Sequence, residues 1–292
     1  MAIPKINMIG CGKLGKTIAS LLSAHHLAQI QDVYTTSLDS AEAAVGFIGQ
    51  GTACAKMSEI RAADLYFFCT PDDEIETSQI ALLKAVQPSP NSAFVHFSGA
   101  LTSQIFKAAI AAGCKVASLH PIKSFANPQE SIQTFTGTFC AFEGDMAVYN
   151  VLEPLFIALG AQVFFINPDK KALYHAGSVF ACNYLVTLAY IAKTCFEKTN
   201  IAPEIAKAMV DDLMQNTLDN IYQSEKMGDA MTGPIERGDI QTILKHIEAL
   251  KEVTQYADLY RLLGMKTLDL IQQQPDKISK LTDIFNTGKD RH

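Results

Sequence analysis

Short apolar runs alternate with amphipathic stretches along the N-terminal half of the chain. Residues 5–9 form one such run, which stops at glycines, and Leu14, Ile18 and Leu22 then recur at helical spacing. Residues 64–69 are almost continuously apolar, which is typical of a strand covered on both faces. The alternation predicts βαβ units and a parallel sheet.

Polar or small residues follow several of the predicted strands. Further strands are expected at residues 30–35, 53–56, 93–97 and 115–119, and helices over 41–47 and from Pro71 onward. Open parallel sheets bind ligands beyond the carboxyl ends of their strands. We therefore expect residues 10–15, Thr70, Ser98 and His120 to line one crevice.

The pattern becomes almost entirely helical after Asn167-Pro168, which suit a helix cap and a first helical position. Helices are predicted at about 169–197, 203–224, 239–250 and 253–273. The predicted fold class is therefore α/β, with a Rossmann-type, doubly wound, mostly parallel sheet followed by an all-helical C-terminal domain. We place a dinucleotide-binding domain at 1–167 and a helical substrate and dimerisation domain at 168–292.

Composition and charge narrow the function classes. Of the 292 residues, 48% are hydrophobic and 18% are charged, so the chain can bury a sizeable core and intrinsic disorder is disfavoured. The net charge of −6 disfavours a nucleic-acid binder that works through a basic surface. The longest uncharged apolar stretch, 176–192, is short for a membrane span, and we expect it to be a buried core helix.

The sequence also favours a cytoplasmic protein. We expect no secretory leader, because the N-terminal residues show neither an n-region nor a cleavage site. The seven cysteines are odd in number, form no CxxC pair and in several cases sit in apolar runs, as reduced thiols do in cytosolic proteins. No ligand cluster predicts a metal site.

A glycine-rich turn follows the first strand and opens the first helix. Gly10-Cys11-Gly12-Lys13-Leu14-Gly15 fits GxGxxG in the context that a dinucleotide site requires. Gly10 would make the tight turn, Gly12 would let backbone amides approach a diphosphate, and Gly15 would let helix and strand pack closely. The partial positive charge at the helix N-terminus would favour the same anion.

The residues after the second strand bear on which dinucleotide binds. NAD-selective sites carry Asp or Glu about 20 residues beyond the glycine turn, whereas Thr35, Thr36 and Ser37 stand here. Asp32 lies too early and Asp39 too late. Because no carboxylate stands at this position to repel a 2′-phosphate, the sequence favours NADP and leaves NAD possible.

Four side chains are candidates for catalysis: Ser98, His120, Lys171 and His175. His120 could be a hydrogen bonder or acid at the reacting carbon, or it could fix its own loop through its ring nitrogens. Lys171 and His175 are four residues apart on a predicted helix and so share one face. That face could act on substrate or could be a solvated surface.

Three more side chains are candidates for substrate binding: Asn183, Thr232 and Arg237. Asn183 interrupts an apolar stretch, where it could contact substrate or complete hydrogen bonds in the core. Arg237 follows Thr232 in a predicted loop and could hold a substrate carboxylate. The favoured alternative is that Arg237 pairs with Glu236 or Asp239 to hold the loop.

Several segments resemble a known group of proteins. They are the glycine turn, Phe68-Cys69-Thr70-Pro71-Asp72-Asp73, Ser118-Leu119-His120-Pro121 with the following Ile122-Lys123-Ser124-Phe125, residues 171–183 and residues 231–239. Together they resemble Rossmann-like reductases with a C-terminal helical domain of unknown function. That group is related to pyrroline-5-carboxylate reductase, ketopantoate reductase and prephenate dehydrogenase. The resemblance covers nearly the whole chain.

The resemblance implies a set of functional residues. NADP would bind at the glycine turn, with Thr70 and Pro71 beside the nicotinamide half. The full cofactor-binding set that we predict is Gly10, Cys11, Gly12, Lys13, Leu14, Gly15, Thr36, Ser37, Cys69, Thr70 and Pro71. In prephenate dehydrogenases a Ser and a His at the positions of Ser98 and His120 touch substrate. In β-hydroxyacid dehydrogenases a helical Lys, matched here by Lys171, is catalytic, and His175 stands where that family has Asn.

These expectations converge on an NAD(P)-dependent oxidoreductase that moves hydride between nicotinamide and a carbonyl or imine of a small metabolite. We expect a small-molecule substrate, no nucleic-acid or membrane partner, and a homodimer paired through the helical domain. The alternative is a non-catalytic dinucleotide-binding regulatory or scaffold protein, because a fold does not determine a function.

Overall fold

A computed structural model describes residues 3–253 and 256–287, and the strands in this part of the chain form one eight-stranded sheet. They are β1 (Lys5–Ile9), β2 (Gln29–Tyr34), β3 (Thr52–Cys54), β4 (Leu65–Phe68), β5 (Ala93–His96), β6 (Lys115–Pro121), β7 (Phe139–Gly144) and β8 (Gln162–Phe165). Their order is β3-β2-β1-β4-β5-β6-β7-β8. Strands β1 to β6 are parallel, and β7 runs antiparallel to β6.

Helices cover both faces of the sheet and form the C-terminal part of the chain. They are α1 (Lys13–Ala24), α2 (Leu38–Ile48), α3 (Asp72–Ala85), α4 (Lys107–Ala111), α5 (Pro128–Gln133), α6 (Met146–Ala158), α7 (Lys171–Ala181), α8 (Asn183–Lys198), α9 (Pro203–Gln223), α10 (Pro234–Arg237), α11 (Ile240–Leu250), α12 (Tyr256–Thr267) and α13 (Pro275–Asn286). The sheet order reverses its direction between β1 and β4, as in doubly wound folds. The predicted fold class is confirmed.

Alternate residues of the central strands enter two separate apolar cores. Phe67 of β4 packs into one core and its neighbour Phe68 into the other, since successive strand residues point to opposite faces. Phe94 and Phe106 surround Phe68, with ring centroids 5.4 and 5.0 Å away. This double covering explains the continuous apolar run in β4.

Three sequence expectations need correction. The predicted helix 169–197 is interrupted at Cys182, whose φ of −118° and ψ of −65° depart from helical values, so α7 and α8 are separate helices. The last helix is predicted to end at about residue 273, yet Pro275 opens the further helix α13, because a proline fits a first helical turn. Strands β7 and β8 were missed, and β8 is a largely exposed edge strand that lacks a continuous buried run.

The chain divides into two compact units, one ending at Cys182 and the other beginning at Asn183. Helix α7 therefore belongs to the unit that contains the sheet, and the domain boundary at residue 167 stays a prediction. The second unit has its own small core around Ile243, Ile247 and Phe285.

The apolar stretch around α7 and α8 is not the buried core helix that we expected. Among the described residues, α8 has no buried position, and none of the most apolar 18-residue window within Pro168–Lys198 is buried. By length and composition alone, Pro168–Lys198, which spans α7 and α8, is long and apolar enough to cross a membrane. A single segment of this kind is weak evidence for a membrane protein.

Candidate active site

The glycine turn has the geometry that its three glycines predict. Gly10 adopts a φ of +75°, and its N–H donates to the Tyr34 carbonyl oxygen at 2.8 Å. A Cβ on Gly10 would lie 2.8 Å from Thr70 Cγ2, and one on Gly15 would lie 3.1 Å from the Cβ of Cys69. Gly12 differs, because beyond its own and the adjacent residues no heavy atom of the described chain lies within 4 Å of the position of its Cβ. Gly10 and Gly15 therefore allow close packing, whereas Gly12 leaves the start of α1 open.

The remaining predicted cofactor residues differ in accessibility. Burial raises the pKa of Cys11 to about 12 and the pKa of Cys69 well above its usual value, so both thiols stay neutral. Thr70 places its hydroxyl oxygen in a buried position where no described residue is its hydrogen-bond partner. The other members are exposed or half-buried: Lys13, Leu14, Thr36, Ser37 and Pro71.

The three residues directly after β2, Thr35, Thr36 and Ser37, carry hydroxyls. Asp32 is 1% exposed and is held by Arg61, with its Oδ1 2.5 Å from Nη2 and its Oδ2 2.7 Å from the backbone nitrogen. Ser37 is the N-cap of α2, where its Oγ accepts from the backbone N–H of Ser40 at 3.2 Å. Thr36 is exposed beside it. The Asp32 carboxylate therefore has a structural role, because Arg61 binds both of its oxygens.

A row of buried polar residues crosses three strands near the carboxyl edge of the sheet. The sheet register pairs His96 of β5 with Ser118 of β6, and Ser118 with Glu143 of β7. All three are buried. Both carboxylate oxygens of Glu143 accept from Ser103, one from its backbone N–H at 2.7 Å and one from its hydroxyl at 2.8 Å.

Lys171 of α7 caps this row. Its Nζ donates to Ser118 Oγ and to Glu143 Oε1, the latter at 3.2 Å, and its side chain is only 1% exposed. Burial lowers the pKa of Lys171, and the charge of Glu143 opposes that shift. Burial also lowers the pKa of His96 to about 3, with a further contribution from Lys171. The row therefore holds one compensated ion pair and a neutral imidazole.

His120 faces two aromatic side chains of α7. Its Nδ1 lies 2.8 Å from the hydroxyl of Tyr174, and its ring centroid lies 5.5 Å from that of His175. Burial lowers the pKa of His120 to about 4, with further contributions from His175 and Lys171. Burial raises the pKa of Tyr174. Both His120 and Tyr174 are therefore uncharged at neutral pH.

Ser98 and Gly99 complete the turn that follows β5. Ser98 Oγ donates to Asp72 Oδ2 at 2.7 Å and accepts from the backbone N–H of Leu101 at 2.9 Å. A Cβ on Gly99 would overlap His175 Nδ1 and would lie 2.9 Å from His120 Cε1. The two imidazoles thus occupy the space beside Gly99 that any other residue would need. The four predicted catalytic residues all lie in the sheet-containing unit, and contacts through this edge connect them.

Unpartnered polar atoms concentrate at this edge. Four buried side-chain nitrogen or oxygen atoms in the described chain have no hydrogen-bond partner, and three of them are Thr70 Oγ1, His96 Nε2 and His175 Nδ1. Thr70 and His96 lie at the carboxyl ends of the adjacent strands β4 and β5, and His175 contacts the turn after β5. Such atoms are few in folded proteins, and each calls for an explanation.

The predicted substrate-binding residues belong to the second unit. Asn183 opens α8 and is exposed, as is Thr232. Arg237 ends the one-turn helix α10 rather than lying in an open loop, and its Nε is 2.9 Å from Asp239 Oδ2. The structural alternative expects this ion pair, and the substrate-binding role of Arg237 stays a prediction. No group of three potential metal ligands occurs in residues 3–253 and 256–287.

The sequence analysis missed four polar residues of this edge: His96, Ser118, Glu143 and Tyr174. Two of them lie inside segments that carry the family resemblance, and period-2 spacing places Ser118 on the same strand face as His120. Glu143 had no signal, because its strand was not predicted. The pairing of Tyr174 with His120 joins residues 54 apart in the chain.

Comparisons with known proteins agree with this architecture. Residues 138–267 match the model of a domain of unknown function, DUF2520. No curated protein sequence matches the chain.

Three examples represent the solved structures that share the fold. BF3122 of Bacteroides fragilis, provisionally described as an NADP oxidoreductase, is 19% identical with a TM-score of 0.73, over 91% of this chain and 98% of that one. Protein TM1727 of Thermotoga maritima is 25% identical with a TM-score of 0.71, over 91% and 97%. The Plasmodium falciparum pyrroline carboxylate reductase with NADP bound is 12% identical with a TM-score of 0.58, over 92% and 98%. These matches confirm the resemblance in fold, which is a Rossmann-like domain followed by a helical domain of unknown function.

Proposed function

We propose that the protein is an NAD(P)-dependent oxidoreductase that transfers hydride between nicotinamide and a carbonyl or imine of a small metabolite. The observation that carries the proposal is the pair of buried, unpartnered polar atoms, Thr70 Oγ1 and His175 Nδ1, at the sheet edge that also holds the glycine turn. A ligand bound along this edge would provide their missing partners. Solved oxidoreductases with the same fold support the proposal.

The residues present fit a dinucleotide. The open N-terminus of α1 at Gly12 would hold the diphosphate, and Thr70 Oγ1 would meet the nicotinamide half. The cofactor would supply the hydride, while the chain binds and orients it. We favour NADP, because Asp32 is bound to Arg61 and the exposed hydroxyl of Thr36 can donate to a 2′-phosphate.

On the substrate side, we assign different roles to the four predicted catalytic residues. His120 would donate to the oxygen or nitrogen that develops negative charge. Ser98 is oriented by Asp72 and would contact the substrate, as would His175. Lys171 is buried against Glu143 and would hold α7 in place rather than donate a proton itself.

The proposal also covers the assembly and the compartment. Val186 and Tyr190 lie four residues apart on one side of α8 and are 69% and 64% exposed, and large apolar residues exposed together mark an interaction surface. We propose that a second copy of the chain covers α8 in a cytoplasmic homodimer. Light scattering should give a dimer that Val186→Glu dissociates. A wild-type monomer at micromolar concentration would contradict the proposed assembly.

Calorimetric titration tests the cofactor assignment. NADPH should bind the wild-type protein, and Gly12→Ala should weaken binding at least about tenfold without loss of stability, because its Cβ meets no protein atom but fills the diphosphate approach. Gly46→Ala is the matched control, since its Cβ is equally unobstructed within α2. Titrations of NADPH and NADH that both stay flat at millimolar concentration would refute the assignment.

Single-turnover oxidation of NADPH against a panel of keto acids and cyclic imines tests catalysis. His120→Asn should slow the reaction by about 10²-fold or more, the usual effect of losing a general acid. Binding of NADPH without oxidation by any member of the panel would favour the regulatory or scaffold alternative.

A further inference from the structure

We infer that Tyr174 is the proton source behind His120, passing a proton through the imidazole to the substrate. The inference rests on the proposed function and adds to it a residue that the sequence analysis did not select. Its basis is the hydrogen bond between the Tyr174 hydroxyl and His120 Nδ1 at 2.8 Å.

The two nitrogens of His120 have different surroundings. Nδ1 faces Tyr174, and the two rings stand at 90° with centroids 5.7 Å apart. Nε2 has no hydrogen-bond partner in the described chain. It is also absent from the set of fully buried unpartnered atoms, so it keeps some solvent-accessible surface. Nε2 therefore remains open to a ligand. The side chain has one protein-facing nitrogen and one ligand-facing nitrogen.

The protonation states fix the direction of the hydrogen bond. His120 is neutral, because burial and its neighbours His175 and Lys171 lower its pKa to about 4, and burial keeps Tyr174 protonated by raising its pKa. A phenol O–H is a much stronger acid than the N–H of a neutral imidazole, so Tyr174 donates and Nδ1 accepts. The ring hydrogen is then on Nε2, where it can be given to a ligand.

A neutral imidazole can release its Nε2 proton only if Nδ1 gains one. As hydride bonds to the substrate carbon, the electron pair of the C=O or C=N bond moves to the heteroatom. The heteroatom takes the Nε2 proton, and Nδ1 takes the hydroxyl proton of Tyr174. The resulting tyrosinate recovers a proton from water. An alkoxide or amide nitrogen is a stronger base than a tyrosinate, so the transfer runs in the required direction. Lys171, enclosed by Ser118 and Glu143, lies outside this path.

Nitrogen NMR of histidine-labelled protein tests the hydrogen bond without any cofactor. The chain has seven histidines, and the resonance missing in His120→Asn identifies the one in question. At pH 7 we expect His120 to carry its hydrogen on Nε2, and Tyr174→Phe to replace this single tautomer with a mixture. Tyr222→Phe, which alters a tyrosine that is 79% exposed, should change nothing. A wild-type hydrogen on Nδ1, or no response to Tyr174→Phe, would overturn the inference.

Kinetics test the proton transfer itself. With a substrate from the panel, Tyr174→Phe should slow single-turnover NADPH oxidation about 10²-fold while the Kd for NADPH stays within about twofold. An unchanged rate would overturn the inference while leaving the proposed function intact. Flat titrations with NADPH and NADH would instead overturn the proposed function, and the NMR result would still decide whether Tyr174 holds the tautomer.

Discussion

The buried ion pair between Lys171 and Glu143 gives the sharpest test of the site. The sequence suggests that Lys171 acts on substrate, whereas the structure encloses its ammonium group between Ser118 and Glu143. Lys171→Met keeps much of the side chain and removes the charge. The substitution therefore separates a structural role from a catalytic one.

The expected loss of stability follows from burial. Lys171 and Glu143 are 1% and 6% exposed, so removing the lysine leaves a carboxylate in the protein interior, where Ser103 is its one remaining hydrogen-bond donor among the described residues. Breaking a buried pair in this way costs about 3–5 kcal/mol. Changing both partners, as Lys171→Met with Glu143→Gln, removes the uncompensated charge and should recover most of that loss.

Urea unfolding of the two single variants and the double variant measures the coupling between the residues. Lys193→Met is the matched control. Lys193 and Glu197 form an ion pair whose side chains are 33% and 31% exposed, and its loss should cost less than about 1 kcal/mol. If Lys171→Met is as stable as Lys193→Met but no longer oxidises NADPH, the buried pair does not exist in solution and Lys171 is catalytic.

Three further predictions concern the same edge of the sheet. Gly99→Ala should displace His175, which should lower the free energy of unfolding by about 1–3 kcal/mol and sharply reduce the rate of turnover, while NADPH binding is retained. An unchanged rate of turnover would contradict the packing of His175 against Gly99. His96 has a pKa of about 3 against about 6.5 when unfolded. Between about pH 3 and pH 6.5 the unfolded protein binds more protons at residue 96 than the folded protein does. The free energy of unfolding measured in urea should therefore be highest above about pH 6.5 and should fall as the pH drops toward about 3, and this fall should be less steep in His96→Asn. Ser37→Ala should cost about 1 kcal/mol through the lost cap of α2 with little change in NADPH affinity, whereas Thr36→Val should weaken NADPH more than NADH in parallel titrations.

Local signals in the sequence were sufficient to predict most of the fold. The glycine turn needs only short-range chemistry, since Gly10 has a positive φ and Gly15 lacks a Cβ for the close approach of Cys69. Strand β4 is recognisable from its own apolar residues. These features depend on neighbours in the chain or on the general rule that parallel strands are covered on both faces.

The tertiary structure alone decided how the polar residues are used. Lys171 and Glu143 are 28 residues apart, and Tyr174 and His120 are 54 apart, so no local pattern links them. The same lysine would be a free cation on an isolated helix, but packing against β6 and β7 removes it from solvent. Helix α8 shows the converse, since its apolar residues suggest burial and none of its described positions is buried. Residue type and periodicity determine which elements form, whereas burial and partner geometry set charge and reactivity, because both depend on atoms that distant segments contribute.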